Sequence, residues 1–350
     1  VKIGVIGGSG YVGGELLRLL LRHPNAEISS VTSKKYSGEF LHRVHANLRG
    51  ATEMKFMDHD VEKVASTSEL VFTSVPHGMS MKVIPRLLSG GIKVIDMAAD
   101  FRLKDPKDYL TWYGKEHPFP DLLGKSVYGV PELYRDEIRK ASLVSAPGCM
   151  AVTSILALSP LVKNKVIDNK RIIVDAKIGS SGAGVNPTAS THHAERSGVV
   201  RPYKPVGHRH TGEIEQELSR LQGEKVTVSM SPHAVNIVRG ILCTSHVFPT
   251  NSISVPEMWK IYRGFYKDEP FIRYVRDHHG LYRYPDPKIV IGSNYCDIGF
   301  EIDERGGRIV IMSAIDNLMK GAAGSGIQAF NTMLRVDERT GLEAIGLHPA

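Results

Sequence analysis

Cys149 follows Pro147-Gly148 and precedes the apolar run Ala151-Val152-Thr153-Ser154-Ile155-Leu156-Ala157-Leu158, whose spacing predicts a buried helix. Pro-Gly is then a turn, and the thiol stands at the helix start. There the unpaired backbone N–H groups and the positive end of the helix dipole favour an anion, so this sulfur is expected to lose its proton more readily than a free cysteine would. A thiolate so placed is a nucleophile for acyl carbon. The plainer alternative is a small buried hydrophobe, which an isolated cysteine in apolar surroundings ordinarily is.

The elements before Cys149 alternate in type. An apolar strand from Lys2 to Ile6 runs into Gly7-Gly8-Ser9-Gly10-Tyr11-Val12-Gly13 and then into an apolar helix that ends near Pro24. Gly8, Gly10 and Gly13 fit G-x-G-x-x-G in the strand, turn, helix context of a dinucleotide fingerprint, where glycine lets backbone approach a pyrophosphate. Gly7, Ser9, Gly10, Tyr11, Val12 and Gly13 are therefore the expected cofactor loop. The next strand, around residues 27–32, ends in Ser33-Lys34-Lys35 where an NAD-binding chain usually places Asp or Glu. Two ammonium groups and a hydroxyl suit a 2′-phosphate, so Ser33, Lys34 and Lys35 predict NADP(H).

Strands around 69–75 and 92–96, with a helix between them near 79–88, continue the alternation and predict a doubly wound parallel sheet with ligands at the strands' carboxyl ends. Val75-Pro76-His77 and Asp100-Phe101-Arg102 stand at two such ends. Arg102 is a candidate clamp for phosphate or carboxylate; the plainer reading is an exposed arginine paired with Asp100. Residues 104–133 read as an irregular excursion.

Beyond Cys149 the texture changes. A strand over residues 171–178 leads into a second small-residue loop, Gly179-Ser180-Ser181-Gly182-Ala183-Gly184, that a cofactor can approach closely. Then comes the densest polar stretch of the chain, from His192 through Arg196, Arg201, Tyr203 and Lys204 to His208-Arg209-His210-Thr211, with a helix expected from Glu213 and Thr211 as its N-cap. Four later strands with few helices predict a mostly antiparallel α+β domain. Residues 317–330 read as one helix whose several glycines point to tight packing against another backbone or a ligand.

Bulk properties narrow the class. The 350 residues suffice for two domains. No run of about 18 apolar residues is present, so no membrane span is expected. The chain enters a core strand at once, which leaves no room for a leader and predicts a cytoplasmic protein. Cys149, Cys243 and Cys296 are too few and too scattered for a disulfide framework or a cysteine-built metal site. A net charge of +7 favours anionic partners, but the basic residues are scattered and no zinc-finger or RNA-binding pattern appears, so nucleic acid ranks last.

Together, Gly7 to Leu16, Asp100-Phe101-Arg102, Pro147-Gly148-Cys149, Gly207-His208-Arg209-His210-Thr211 with Glu213-Ile214-Glu215-Gln216, and Asp316 to Gly324 resemble the N-acetyl-γ-glutamyl-phosphate reductase family, relatives of aspartate-semialdehyde dehydrogenase. The resemblance covers essentially the whole chain. It implies a Rossmann-type NADP-binding domain over residues 1–148 and 317–350, and an α+β catalytic and oligomerisation domain over 149–316 that forms a dimer or tetramer. It implies Cys149 as nucleophile, a histidine of the His-Arg-His stretch in proton transfer, and NADPH as hydride donor. His210 or His208 is the candidate acid/base, because imidazole titrates near neutrality, and His210 is preferred. Gly182 and Asn317 are expected at the cofactor, and Arg102, Arg201, Tyr203 and Lys204 at an acyl-phosphate substrate. No metal is expected, since the histidines lack a familiar ligand spacing with a carboxylate or thiol.

One departure carries information. The family usually has Asn-Pro-Gly-Cys-Tyr at the nucleophile, where this chain has Ala146-Pro147-Gly148-Cys149-Met150. With Arg196-Ser197-Gly198-Val199-Val200-Arg201-Pro202-Tyr203, this looks like the branch acting on aminoadipyl or glutamyl phosphate attached to a small acidic amino-group carrier protein of the LysW type, in lysine and arginine biosynthesis. The alternatives are a reductase of free N-acetylglutamyl or aspartyl phosphate, and a non-catalytic NADP-binding regulator. The basic turn at Lys34-Lys35 predicts preference for NADP over NAD in initial-rate assays; the opposite preference would reject that assignment.

Overall fold

The computed structural model describes residues 1–349, and the chain divides into two compact units. One comprises Val1–Pro147 with Ala322–Ala344; the other comprises Gly148–Gly321 with the C-terminal residues from Ile345.

The first unit is built on six parallel strands: β1 (Lys2–Ile6), β2 (Glu27–Thr32), β3 (Leu70–Thr73), β4 (Lys93–Asp96), β5 (Val127–Tyr128) and β6 (Leu143–Ser145), in the spatial order β2-β1-β3-β4-β6-β5. Strands such as β3 are buried along their whole length, as expected where helices cover both faces of a parallel sheet. Winding reverses between β1 and β3, which sit side by side, and the glycine loop leaves β1 at that reversal. Gly7 has φ +86°, and a Cβ there would lie 2.5 Å from the Ser74 carbonyl oxygen, so only glycine makes this turn. The helix Gly324–Leu334 belongs to this unit, and Gly326 lets the Met97 side chain approach its backbone.

Residues 104–133 are not irregular. They contain the helices Pro106–Tyr113 and Pro120–Lys125, and a third, Pro131–Ile138, follows. Each starts on proline, whose fixed φ suits a first turn and whose missing N–H is not needed there. The segments are short, so periodicity could not reveal them.

The second unit carries a seven-stranded mixed sheet: β7 (Ile167–Ile178), β8 (Val200–Pro202), β9 (Val228–Val235), β10 (Ile241–Pro249), β11 (Ile272–Tyr274), β12 (Cys296–Asp303) and β13 (Arg308–Ile315), ordered β11-β12-β13-β10-β7-β9-β8. The pairs β7/β9 and β11/β12 are parallel and the other four antiparallel. The helix Cys149–Lys163 packs on β7, β10 and β13, with every residue from Met150 to Val162 buried. Pro160 inside it has no N–H for the Leu156 carbonyl. The buried Tyr266 hydroxyl donates to that oxygen at 2.7 Å, and Tyr262 serves the Ala157 carbonyl likewise, so no carbonyl is stranded at the break.

At the ends of β3 and β4, Ser80 Oγ lies 2.9 Å from both Asp96 Oδ2 and Asp100 Oδ2. A hydroxyl has one proton, so the second contact requires a protonated carboxyl. Asp96 fits that role: burial pushes its pKa up to about 6, against hydrogen bonds from Thr73 and Ala98. Asp100 is held down at about 2, despite burial, by His77, Gly78 N–H and Ser80. The stability linked to the Asp96 proton is full below its unfolded value of 3.8 and is lost as pH rises through about 6. Asp96→Asn, whose amide donates permanently, should therefore melt no lower than the parent at pH 8. A large loss of melting temperature there would show that the carboxylate is the stabilising form.

Candidate active site

In the second unit Cys149 is the first residue of its helix, with Gly148 as N-cap, and it is partly exposed, whereas Cys243 and Cys296 are buried. Three groups close around it. The Gly148 N–H donates to Glu213 Oε2 at 2.8 Å, and Glu213 is fully buried. The His210 ring stands against Gly148 itself: a Cβ there would lie 2.6 Å from His210 Nε2 and 2.7 Å from Glu213 Oε1. His210 Nε2 is 3.9 Å from Glu213 Oε1. Thiol, imidazole and carboxylate are thus gathered at one helix start, and the glycine is what admits the ring.

The third wall is Gly321, whose Cβ, if present, would sit 2.8 Å from Cys149 Cβ. Gly321 lies in a π-turn, Met319–Ala323, so residues 317–330 are not one regular helix. Its N–H bonds the Asp316 carbonyl five residues back, at 3.0 Å. The buried Asp316 carboxylate braces that turn by accepting from Leu318 N–H and Met319 N–H, and from Arg239 on the loop after β9.

The helix beyond the histidines starts earlier than its sequence suggests. It spans Arg209–Gln222, capped not by Thr211 but by His208, whose Nδ1 accepts from the His210 N–H at 3.2 Å. Burial, then Arg209 and Lys204, depress the His208 pKa to about 4, so the ring is neutral at pH 7 and able to accept. His208 is therefore a cap, and its edge-on ring, 4.7 Å from that of His210, fixes the plane of the latter. Tyr203 closes the same side: its hydroxyl donates to Met150 Sδ at 3.9 Å, and burial followed by the Cys149 charge raises its pKa, which keeps the phenol protonated. Arg201 and Lys204 flank it; Arg201 donates to the Glu195 carbonyl at 3.0 Å, and Lys204 is exposed.

Gly182 and Asn317 meet on the far side of Asp316. Asn317 is buried, accepts from Gly240 N–H and donates to Ser181 Oγ, so its amide ties the 179–184 loop to β10. Gly182 is exposed, and its Cα faces Ile178.

In the first unit, Gly10 is the N-cap of Tyr11–Leu20 and offers no side-chain cap, leaving the first-turn N–H groups of Tyr11, Val12 and Gly13 for an external acceptor. A Cβ on Gly13 would strike Gly8 backbone at 2.6 Å, and one on Gly8 would lie 2.4 Å from Val31 Cγ1, so each position requires glycine. Ser33 Oγ donates to Ser9 Oγ at 2.9 Å, locking the end of β2 to the glycine loop, while Lys34 and Lys35 are exposed beside it. This set fits a pyrophosphate with an adjacent ribose phosphate. Arg102 is buried; its Nε donates to the Ala146 carbonyl at 2.8 Å. Among the described residues no group of three or more His, Cys, Asp and Glu is gathered for a metal, and no helix is long and apolar enough to cross a membrane.

Glu213 was read in the sequence only as a helix start and part of a motif, with no role at the site, although its place three residues after His210 on a helix puts both on one face.

A nucleotide-type sheet unit joined to a unit with a cysteine at a helix start describes a nucleotide-dependent dehydrogenase. Residues 2–141 match the NAD binding domain of semialdehyde dehydrogenases, and residues 149–317 match their dimerisation domain. The chain belongs to the semialdehyde dehydrogenase family. A relative from Cenarchaeum symbiosum is 58% identical over 349 residues and the full length of both chains, and one from Saccharolobus solfataricus is 47% identical over 350 residues, 100% of this chain and 99% of that one. The second bears the name LysW-L-2-aminoadipate/LysW-L-glutamate phosphate reductase, and the first bears the same name provisionally. The fold is also that of aspartate semialdehyde dehydrogenase with NADP from Candida albicans, at TM-score 0.72 and 16% identity, covering 95% of this chain and 98% of that one.

Two substitutions test the geometry. Gly321→Ala should lower kcat about a hundredfold through displacement of the nucleophile, and cost about 1–3 kcal/mol of stability by overpacking. His208 has its folded pKa depressed to about 4 from 6.5, so the stability it contributes is present above pH 6.5 and is lost as pH falls toward 4. His208→Asn, which still caps, should flatten that acid limb, and His208→Ala should cost about 1 kcal/mol at pH 7.

Proposed function

We propose that this chain is an NADPH-dependent acyl-phosphate reductase acting on 2-aminoadipyl or glutamyl phosphate carried on a LysW-type protein, in lysine and arginine biosynthesis. The observation that carries it is the meeting of Cys149, His210 and Glu213 at one helix N-terminus, in a chain 58% identical to a full-length relative of that name. Cys149 Sγ attacks the acyl carbon, the C–O bond to phosphate breaks, and inorganic phosphate leaves with the bonding pair. The glycine loop, with Lys34 and Lys35 at the 2′-phosphate, would hold NADPH, which would supply hydride for reduction of the thioester. His210 moves the proton: it would give one to the oxyanion that reduction leaves and take it back as the C–S bond breaks, so that the aldehyde departs and the Cys149 thiolate is regenerated. Glu213 orients that ring and holds the Gly148 N–H. Tyr203, Arg201, Lys204 and Arg102 are assigned to the substrate, and Gly182 and Asn317 to the cofactor.

The exposed face of the seven-stranded sheet, where Ile173 is 41% accessible although mid-strand, suits self-association, and residues 149–317 match a dimerisation domain. A chain of formal charge +7 also suits an acidic carrier.

Incubating the enzyme with carrier-linked acyl phosphate and no NADPH should release one phosphate per active site and add the acyl-carrier mass to the protein. Cys149→Ser should show neither, and His210→Asn should slow turnover by about 10²–10⁴. Efficient turnover of free N-acetylglutamyl phosphate, indifferent to salt and to added carrier, would reject the carrier-linked reading.

A further inference from the structure

Between β2 and the crossover helix Val61–Thr67, residues 36–60 make a detour that ends back on β2: Met57 N–H donates to the Val31 carbonyl at 2.9 Å, and Ser33 N–H to the Met57 carbonyl at 3.1 Å. The detour contains the short helix Leu41–Val44 and a turn over Ala46–Leu48, anchored by the buried Leu41 and Leu48. Between the two stands His45, and its ring reaches the glycine loop after β1.

Two separate contacts are made there. His45 Nε2 lies 2.8 Å from the Gly8 carbonyl oxygen. A carbonyl only accepts, so Nε2 carries the proton, and burial keeps the ring neutral by lowering its pKa. The same ring packs on Gly14, where a Cβ would meet Cε1 and Nδ1 at 2.6 Å. Gly14 lies outside G-x-G-x-x-G, so its missing side chain answers to the imidazole and not to a nucleotide.

The Gly8 peptide is thus held on both sides, its N–H donating to the Thr32 carbonyl at 2.9 Å and its oxygen accepting from His45. In a planar trans peptide the C=O and the next N–H point in opposite directions. Holding the Gly8 oxygen at the ring therefore turns the Ser9 N–H away from it. A Cβ on the neighbouring Gly10 would meet nothing within 4 Å, so the loop is open there. Without the ring this peptide is free to flip, and its carbonyl would present the negative end of a dipole to an incoming phosphate.

We propose that His45 is a positioning residue of the cofactor site: through its bond to the Gly8 carbonyl it fixes the Gly8–Ser9 peptide with the N–H outward, for the pyrophosphate of NADP(H). This rests on the cofactor reading of the glycine loop and on nothing about the acyl substrate. It accounts for the detour, which carries an imidazole to the loop, and for the adjacent glycines at 13 and 14, the first leaving room for Gly8 and the second for the ring.

The test is calorimetric titration of the full-length protein with NADP+ and, as a control, with adenosine 2′-monophosphate, which has the ribose phosphate and no pyrophosphate. His45→Ala should raise the Kd for NADP+ about tenfold, as loss of a hydrogen bond with its acceptor left unmet requires. His45→Gln, whose amide can donate to the same oxygen, should recover most of that loss, and adenosine 2′-monophosphate should bind every variant equally. Gly14→Ala should weaken NADP+ binding in the parent by pushing the ring aside, yet add nothing to His45→Ala, where the ring is gone. Melting curves establish that the variants are folded, and His45→Leu, which fills the space without a donor, carries the test if His45→Ala is not. The proposal is overturned if removing the imidazole leaves NADP+ affinity unchanged, if adenosine 2′-monophosphate is weakened in step, or if Gly14→Ala costs as much without the ring as with it. A parent that binds no NADP+ would overturn the reading of the glycine loop and the proposal with it. The acyl-phosphate reading is tested apart, by the Cys149 adduct, which forms without cofactor.

Discussion

A single buried hydrogen bond organises the second unit: Gly148 N–H to the Glu213 carboxylate. It satisfies the N–H of a helix cap that has no side chain of its own, with a charged acceptor at the end of the helix where negative charge is favoured. Because Glu213 lies one turn beyond His210, the same bond sets the distance between the nucleophile helix and the imidazole. The two helices are thereby joined at their reactive ends. Everything further out, including the His208 cap, the Tyr203 hydroxyl and the segment that bears Arg196, is placed relative to that join.

Burial makes the arrangement rigid. The nucleophile helix is apolar on all sides and packed against three strands, so it has no solvent face on which to shift. Its serine and threonine hydroxyls turn back to carbonyls four residues earlier, as with Thr153 to Cys149 and Ser154 to Met150, and so leave no buried donor unanswered. The tyrosines that serve the carbonyls near Pro160 do the same at the far end.

What was legible in the sequence follows from the range of the interactions. The glycine loop after β1, the alternation to β4 and the cysteine at a helix start rest on local patterns, and each is in place, whereas the short strands β5 and β6 went unread. The mixed sheet was legible as strands but not in its order, since β7 pairs with β9 and β10 across long loops that no local signal records. The helix of the histidines was read as starting at Glu213 with a Thr211 cap, because propensity favours threonine. The imidazole took the cap because burial keeps it neutral, a tertiary effect. Arg102 is buried against the Ala146 carbonyl and not exposed, and the proline-initiated helices of 106–138 were too short for a period to show.

The bare backbone at Gly148 and Gly321 limits how the chain can diverge. A methyl group at either position collides with the imidazole or with the cysteine itself, so neither face of the nucleophile can acquire new chemistry by substitution. Variation in what is accepted must come from the exposed segment 184–207, whose side chains lie mostly in solvent and constrain little else. Redesign toward a longer or shorter acid should accordingly begin there, leaving the reactive centre as an invariant module served by an interchangeable one.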